Sequence, residues 1–202
     1  MKKTYAVKEI FHSIQGEGFH YGRPAVFVRL SGCNLWSGRE KDREKAVCQF
    51  CDTDFVGGTR MTGPEIVEEV CRYPTKFVIL TGGEPGLQID NELVRQLQRR
   101  NCYVAVETNG TQPLPSALDW VCVSPKAGSK IIIREADEIK LVYPQPGMMP
   151  HIALLHVHAK HKWISPMDGP ELKENTQKAI EFVRNAWPWR LTMQAHKIWG
   201  IA

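Results

Sequence analysis

The sequence predicts an α/β domain whose mainly parallel sheet curves into a partial, open barrel. Strand-like and helix-like segments alternate along the chain, which is typical of parallel sheets. Continuous apolar runs, such as residues 77–80, indicate strands that are buried on both faces. Polar motifs rich in Gly and Pro follow the strands, at the positions that carry the active site in β/α barrels. About six or seven strands are too few for the eight units of a closed barrel.

Composition narrows the possible function classes. The chain has 202 residues and 43% hydrophobic content, enough for one domain spanning residues 1–202. Its formal net charge is +4 and its Lys and Arg residues are scattered, which favours a small anionic ligand over a nucleic acid. Residues 1–6 lack the apolar run of a signal peptide, and no stretch has membrane-spanning length. We therefore expect a cytoplasmic protein with reduced thiols and no membrane contact.

Local signals predict the first elements of the chain. Residues 5–11 are strand-like and lead into Gln15-Gly16-Glu17-Gly18, where two glycines allow the backbone to approach a ligand closely. Thr62 and Glu65 have the spacing of a capping box, with Pro64 in the first turn, so a helix is predicted to begin there.

Apolar spacing predicts the remaining elements. Leu93, Val94 and Leu97 recur at helical spacing and indicate a second helix. The other elements are predicted, in chain order, as strands 25–30, 77–80, 103–106, 120–123, 138–142 and 161–164, a helix 171–186 and a strand 189–193.

Three cysteines follow the strand predicted at residues 25–30. Cys33, Cys48 and Cys51 have the spacing C-x14-C-x2-C, so their thiolates can converge at a strand end and bind a metal. Structural zinc requires four ligands, whereas an iron–sulfur cubane can use three cysteines and leave one iron open. Spacing alone leaves zinc, an iron–sulfur cluster and plain reduced core cysteines open.

The remaining cysteines and a group of histidines are interpreted as structural. Cys71, Cys102 and Cys122 lie on apolar faces of predicted elements and are expected to be packed thiols. Histidines at positions 151, 156, 158 and 161 have no clear metal-binding spacing and are assigned to the surface. The polar insert 34–47 is predicted to form a short helix and to pack around the metal site.

The order of the motifs resembles the radical S-adenosylmethionine (SAM) superfamily. The shared motifs after the cysteines are Thr81-Gly82-Gly83-Glu84-Pro85, Glu107-Thr108-Asn109-Gly110 and Ser124-Pro125-Lys126. More narrowly, the chain is similar over nearly its whole length to the 7-carboxy-7-deazaguanine synthase family. That similarity is carried by Gln15-Gly16-Glu17-Gly18, Cys51-Asp52-Thr53, Ser165-Pro166-Met167-Asp168-Gly169-Pro170 and Gln194-Ala195-His196-Lys197. Gly86, Ser165 and Ala195 depart from the family's usual Met, Gln and Thr.

The resemblance implies a partial barrel of the radical SAM type and two cofactors. Cys33, Cys48 and Cys51 would hold a [4Fe–4S] cluster, whose open iron binds S-adenosylmethionine. The residues implied in SAM binding are Phe50, Cys51, Asp52, Gly83, Glu84, Ser124, Pro125, Lys126, Ser165, Pro166, Met167 and Asp168.

The family's substrate is 6-carboxy-5,6,7,8-tetrahydropterin, which is converted to 7-carboxy-7-deazaguanine with loss of ammonia. The resemblance gives catalytic roles to Arg29, Glu17 and His196, and Arg29 would face the substrate carboxylate. Thr53 would bind a Mg2+ ion that bridges to the same carboxylate. Substrate binding is implied for Ile14, Gln15, Gly16, Glu17, Arg29, Thr81, His196 and Ala202, the last through the terminal carboxylate.

The resemblance also implies partners, and two alternative functions remain open. We expect an electron donor such as flavodoxin or ferredoxin, and a homodimer. A glycyl-radical-enzyme activating enzyme would share the cluster and SAM but act on a protein. A non-catalytic zinc-binding module would share only the cysteines. Metal analysis separates the zinc module from the two enzymes, and a small-molecule turnover assay separates the two enzymes.

Overall fold

The computed structural model describes residues 3–201, which form one mixed sheet and five α-helices within that range. The strands are β1 Thr4–Ile14, β2 Pro24–Leu30, β3 Thr59–Thr62, β4 Phe77–Gly82, β5 Tyr103–Thr108, β6 Trp120–Val123, β7 Glu135–Tyr143, β8 His158–Pro166 and β9 Arg190–Leu191. The helices are α1 Gly63–Val70, α2 Asn91–Gln98, α3 Pro150–His156, α4 Leu172–Asn185 and α5 Ala195–Trp199.

The strand order is β3-β1-β2-β4-β5-β6-β7-β8-β9. From β2 to β9 all neighbours pair in parallel, whereas β1 pairs antiparallel with both β2 and β3. The two edge strands, β3 and β9, do not pair with each other, so the sheet stays open. The prediction of a mainly parallel, open sheet is therefore confirmed.

Residues of β2 alternate between the two faces of the sheet, as the pleat requires. Val26, Val28 and Leu30 belong to the core beneath α1 and α2, together with the buried helix residues Leu93 and Leu97. A second core lies beneath α3 and α4 against β7 and β8. The helices thus cover one face of the sheet and leave the other face to form the interior of the partial barrel.

The opposite face carries Ala25, Phe77, Ile79 and Ala105, a small apolar cluster inside the barrel. Arg29, on the same face of β2, lines the cavity at the carboxyl ends of the strands. The alternation in this one strand therefore delivers three apolar residues to the core and one cation to the site.

Several boundaries differ from the sequence predictions. Strand β3 was not predicted because an exposed edge strand of Thr, Arg and Met has no apolar alternation. Helix α3 was not predicted, and it begins at Pro150, the first-turn position that tolerates proline. Strand β9 has two residues rather than five, and a short helix, α5, follows it.

The helix prediction at Thr62 is confirmed in detail. The Glu65 carboxylate accepts a hydrogen bond from the Thr62 backbone N–H at 2.7 Å, and both halves of the capping box are present. The predicted helices at Leu93 and at residues 171–186 are also confirmed, as α2 and α4. Within residues 3–201 we find no helix with the length and apolarity needed to cross a bilayer.

Candidate active site

A cavity of about 420 Å³ opens at the carboxyl ends of the parallel strands. Most residues that the sequence predicted for the site line this single cavity. They are Ile14, Gln15, Gly16, Glu17, Arg29, Cys33, Cys48, Phe50, Cys51, Asp52, Thr53, Thr81, Gly83, Ser124, Lys126, Ser165, Pro166, Met167, Asp168 and His196. Residues far apart in the sequence are thus brought together as expected of a barrel site. Ala202 lies outside the described residues.

The three cysteines of the C-x14-C-x2-C motif all line the cavity. The Cys48 and Cys51 side chains are hydrogen-bonded, which lowers the pKa of Cys51 and raises that of Cys48. The Thr53 backbone N–H also favours the Cys51 thiolate. Thiolates are the form that binds metal, and soft thiolate donors suit an iron–sulfur cluster.

The donor set fits a cluster because all three thiols face the same space. Across residues 3–201, no three His, Cys, Asp or Glu side chains are gathered as ligands of a single metal ion. All six cysteines are free thiols, so none of the three is consumed by a disulfide.

Two consecutive glycines bring the end of β4 against the loop that carries Cys33. The Gly83 N–H donates to Leu30 O at 3.0 Å, and the Glu84 N–H donates to Gly32 O at 2.8 Å. A Cβ at Gly83 would lie 1.9 Å from Gly32 O, so no other residue fits there without a backbone shift. The Gly-Gly pair therefore holds Gly83 beside the cysteine loop.

Glu84 and Pro125 do not line the cavity. The Glu84 carboxylate is fully buried and accepts hydrogen bonds from Gly86 N at 2.8 Å, Thr108 Oγ1 at 2.6 Å and Asn109 N at 2.7 Å. Burial raises its pKa despite these bonds. The Glu84 side chain thus holds the Glu107-Thr108-Asn109-Gly110 loop from inside the protein. It does not face the cavity in which its contact with SAM was predicted.

The floor of the cavity holds a network of charged groups. The Lys140 ammonium lies 2.6 Å from Glu17 Oε2 and 3.4 Å from Glu107 Oε1. Gln15 Nε2 donates to Glu107 Oε1 at 2.9 Å, and Thr81 Oγ1 donates to Glu107 Oε2 at 3.4 Å. Gln15, Glu17 and Thr81 were predicted for the site, and the network joins all three.

The network sets the charge state of its members. Burial alone would lower the pKa of Lys140, but Glu107 and Glu17 raise it well above its ordinary value. Burial alone would raise the pKa of Glu107, but Lys140, Gln15 and Thr81 lower it. Lys140 and Glu107 are therefore both charged at neutral pH.

The predicted site omitted Lys140 and Glu107 from its functional residues. Glu107 begins the Glu107-Thr108-Asn109-Gly110 motif and lies at a strand end. Lys140 stands between Ile139 and Leu141, which are fully buried in the core. A charged residue inside an apolar strand is the feature that could have identified it, because an unpaired buried charge is costly.

Contacts with two residues of β1, Glu9 and Phe11, orient the Arg29 side chain. Its Nε donates to Glu9 Oε1 at 2.7 Å, and its guanidinium carbon lies 5.4 Å from the centre of the Phe11 ring. Among the described residues no acceptor is found for a hydrogen bond from its two terminal nitrogens. The guanidinium lines the cavity with these two nitrogens available to an anion.

The loop at Gln15-Gly16-Glu17-Gly18 packs against the end of the chain. The Ala195 N–H donates to Gly16 O at 3.2 Å, and a Cβ at Gly16 would lie 2.6 Å from His196 Nδ1. The Gly18 N–H donates to Thr192 Oγ1 at 2.9 Å. Glycine at position 16 thus allows the loop and His196 to meet at the cavity wall.

Lys197, from α5, joins two other walls of the cavity. Its ammonium forms ion pairs with Asp52 and Asp168. On the neighbouring wall, Lys126 Nζ donates to Ser124 Oγ at 2.6 Å, and burial lowers the Lys126 pKa. Lys197 therefore links Asp52 and Asp168, two of the residues predicted for SAM binding, and Ser124 binds Lys126 on the adjoining wall.

Two structural interpretations need correction. Cys122 is buried, but it lines the cavity beside the charged floor rather than packing on an apolar face. Its pKa is raised by burial and by Glu138, Glu107 and Glu17. His161 is half-buried rather than a surface residue, because its ring lies 4.4 Å from Phe19 and 5.8 Å from Trp120 between ring centroids.

Comparison with known proteins agrees with this geometry, although no family model matches the chain. The crystal structure of QueE from Escherichia coli superposes with a TM-score of 0.69, at 24% identity, over 94% of this chain and 93% of that one. The fold is therefore the partial barrel of the radical SAM type, as predicted. The match shows that the two proteins share this class of fold, an α/β partial barrel with an open, mainly parallel sheet.

Sequence relatives identify the family within that class. The chain is 47% identical over 209 residues to the 7-carboxy-7-deazaguanine synthase of Bradyrhizobium diazoefficiens, covering 98% of this chain and 99% of the relative. It is 46% identical to the enzyme of that name from Caulobacter vibrioides, with the same coverage. The one from Bacteroides thetaiotaomicron is 44% identical over 192 residues, covering 95% and 96%. The chain belongs to the 7-carboxy-7-deazaguanine synthase family.

Proposed function

We propose that this enzyme converts 6-carboxy-5,6,7,8-tetrahydropterin to 7-carboxy-7-deazaguanine with loss of ammonia. The observation that supports it most is that one cavity combines three cysteine thiols with a polar, charged floor. When bound, a [4Fe–4S] cluster and S-adenosylmethionine would supply a radical that removes a hydrogen atom from the substrate. The chain itself binds, orients and encloses the reactants.

Cys33, Cys48 and Cys51 are the residues that would hold the cluster. Gly83, directly after β4, lines the cavity next to the Cys33 loop, where the amino acid part of SAM could be bound. Residues Ser124, Lys126 and those from Ser165 to Asp168 line the adjoining walls. We assign the ribose and adenine of SAM to these walls.

Arg29, Glu17 and Gln15 would orient the pterin. Arg29 presents two guanidinium nitrogens that can bind the substrate carboxylate in a fork. Glu17 and Gln15 offer an acceptor and an amide to the edge of the ring, which carries amino and N–H groups. His196 packs against Gly16 and adds an imidazole to the same wall, where it would contact the pterin.

Thr53 is the residue that we assign to a Mg2+ ion. Its side chain lines the cavity, and its backbone N–H is engaged by Cys51. Magnesium commonly takes few protein ligands and completes its shell with water and substrate oxygens. A single hydroxyl in the same cavity as Arg29 would therefore suffice.

We further infer that the cluster receives single electrons from a donor such as flavodoxin or ferredoxin, because SAM cleavage at a cluster consumes one electron at a time. We also infer a homodimer, from the family alone. Light scattering of the purified protein tests the dimer, and reduction of the cluster by each donor tests the first inference.

Anaerobic reconstitution tests the function directly. The loaded protein should carry about four irons per chain and turn over the carboxylated pterin. Cys48→Ala should lose both the iron and the activity, whereas Cys102→Ala, a buried thiol outside the cavity, should keep both. Full iron content in Cys48→Ala would reject the cluster assignment. Bound zinc without turnover would support the binding module, and a loaded cluster without pterin turnover would favour an activating enzyme.

A further inference from the structure

We infer that Arg43, in the insert 34–47, is a positioning residue that fixes the turn between Cys48 and Cys51. The inference rests on the proposed function, in which these two cysteines are cluster ligands. It assigns a specific task to one residue of the 3₁₀ helix Glu40–Lys45, a segment of the insert in which every residue is charged and none is buried.

The Arg43 guanidinium makes four hydrogen bonds. Nη1 donates to Gln49 O at 2.8 Å and to Cys51 O at 3.0 Å. On its other side, Nε and Nη2 donate to the two carboxylate oxygens of Glu40 at 2.6 Å and 2.9 Å. One planar group therefore joins the 3₁₀ helix Glu40–Lys45 to two carbonyls of the cysteine turn.

A rigid platform holds the guanidinium in place. Its central carbon lies 4.1 Å from the centre of the Trp36 ring, a stacked cation–π contact. Trp36 is only 8% exposed, donates from Nε1 to Arg39 O at 3.2 Å, and packs edge-on against the buried ring of Phe55. Arg43 is thus fixed from below by Trp36 and laterally by Glu40.

The turn has few other restraints at its centre. Cys48 N donates to Leu35 O at 3.2 Å at the start of the turn, and the Gln49 side chain donates to Glu44 O at 2.9 Å. The carbonyls of Gln49 and Cys51 are both bound by Arg43, so these two peptide groups cannot rotate independently. The separation and direction of the two thiols on either side depend on those rotations.

Lysine at position 43 could not make the hydrogen bonds that Arg43 makes. An ammonium is a compact charge without a planar fork, so it cannot bind both carboxylate oxygens of Glu40 side-on and two carbonyls on the opposite side. Arg43→Lys therefore keeps the charge and removes most of the geometry. Arg43→Gln removes both.

Thiol reactivity in the metal-free protein tests the inference without requiring a cluster. We expect alkylation of Cys48 and Cys51, followed by mass spectrometry, to be about tenfold faster in Arg43→Gln than in the wild type, because charge-assisted hydrogen bonds contribute on that order. Arg43→Lys should be accelerated nearly as much. Lys41→Gln, an exposed residue of the same 3₁₀ helix, should match the wild type.

Cys102 is the internal reference, because it is buried far from the insert in the core beneath α1 and α2. Its alkylation should not change in either Arg43 variant. In the reconstituted protein, iron should be lost to a chelator faster in both Arg43 variants than in Lys41→Gln. Unchanged reactivity of Cys48 and Cys51, or equal acceleration at Cys102 in both variants, would overturn the positioning role. A wild type that binds no iron would reject the proposed function but leave the alkylation result to decide this inference.

Discussion

Lys140 Nζ lies 2.6 Å from Glu17 Oε2, and this contact joins strand β7 to the loop that follows β1. The pair is largely shielded from water, with side chains 13% and 9% exposed. Because Ile139 and Leu141 occupy the core face of β7, the pleat directs Lys140 to the cavity. The position of Glu17 at the site therefore depends on a cation that the sequence motifs did not include.

Replacing Lys140 with Gln should destabilise the protein at neutral pH and weaken pterin binding. Removing one partner of a buried ion pair typically costs about 3–5 kcal/mol in the free energy of unfolding, and here two carboxylates would lose their cation. Urea unfolding of the metal-free protein measures the loss. Lys160→Gln is the matched control, because its pair with Asp137 is exposed and such pairs contribute little.

The pH dependence of that loss follows from Glu107. Its pKa is lowered in the folded protein by Lys140 and its hydrogen bonds, which outweigh burial. The stabilisation is therefore present above the ordinary pKa of 4.5 and is lost as pH falls through the folded-state pKa. The difference between wild type and Lys140→Gln should shrink as the pH is lowered below that range. A difference that grows toward acid would contradict the role of Lys140 at Glu107.

Arg29→Lys should raise the dissociation constant of the carboxylated pterin by about tenfold, because a fork that binds two oxygens is lost while the charge is kept. Isothermal titration under anaerobic conditions, with SAM present, measures the constant. Glu9→Gln should have a smaller effect, since Glu9 orients only Nε. Iron content should remain normal in both variants. Equal affinity in wild type and Arg29→Lys would remove Arg29 from the substrate site.

Removal of divalent ions should slow turnover, and Thr53→Ala should show a weaker response to added Mg2+ than the wild type. The backbone N–H of Thr53 serves Cys51, so the alanine variant isolates the hydroxyl. Thr53→Ser keeps a hydroxyl ligand and should retain the response. The rate measured against Mg2+ concentration checks this. If chelation leaves the wild-type rate untouched, the magnesium assignment is wrong.

The sequence predicted those parts of the fold and site that are encoded locally. The Cys48–Cys51 pair, the Gly82-Gly83 segment and the Thr62 capping box each lie within a few residues, and each appears where it was expected. Interactions between distant residues could not be read in this way. Gln15 reaches Glu107 across 92 positions, and no local pattern encodes that contact.

Glu84 shows a different limit of sequence reasoning. Its motif placed it correctly at the end of β4, but a motif does not specify which way a side chain turns. Gly82, at φ +123°, adopts a conformation that favours glycine, and the chain that follows directs the Glu84 carboxylate into the protein. Three hydrogen-bond donors contact the carboxylate there, so the free-energy cost of burying it is compensated.

Glu138 should position the loop Gln15-Gly16-Glu17-Gly18, which we propose for pterin binding, without touching the substrate. The residue is 5% exposed and does not line the main cavity. Its carboxylate accepts hydrogen bonds from Phe19 N at 2.9 Å and Trp120 Nε1 at 3.0 Å. A Cβ at Gly18 would lie 2.7 Å from Glu138 Oε2, so the loop beside Glu17 rests directly on this group.

Glu138→Gln has the same shape, but its amide presents one acceptor oxygen to two N–H donors, so one bond must be lost. We expect the KM for the pterin to rise severalfold, by about 1 kcal/mol of binding free energy for one hydrogen bond, while kcat, iron content and SAM affinity stay near wild type. Glu135→Gln, at the exposed start of the same strand, should change none of these values. Trp120→Phe removes only the indole donor and leaves the bond to Phe19 N. Its KM should therefore lie between those of Glu135→Gln and Glu138→Gln. If kcat and SAM affinity fall while KM rises, Glu138 stabilises the whole barrel and not only the loop. If KM is unchanged, the bond from Gly18 N to Thr192 Oγ1 is sufficient to hold the loop.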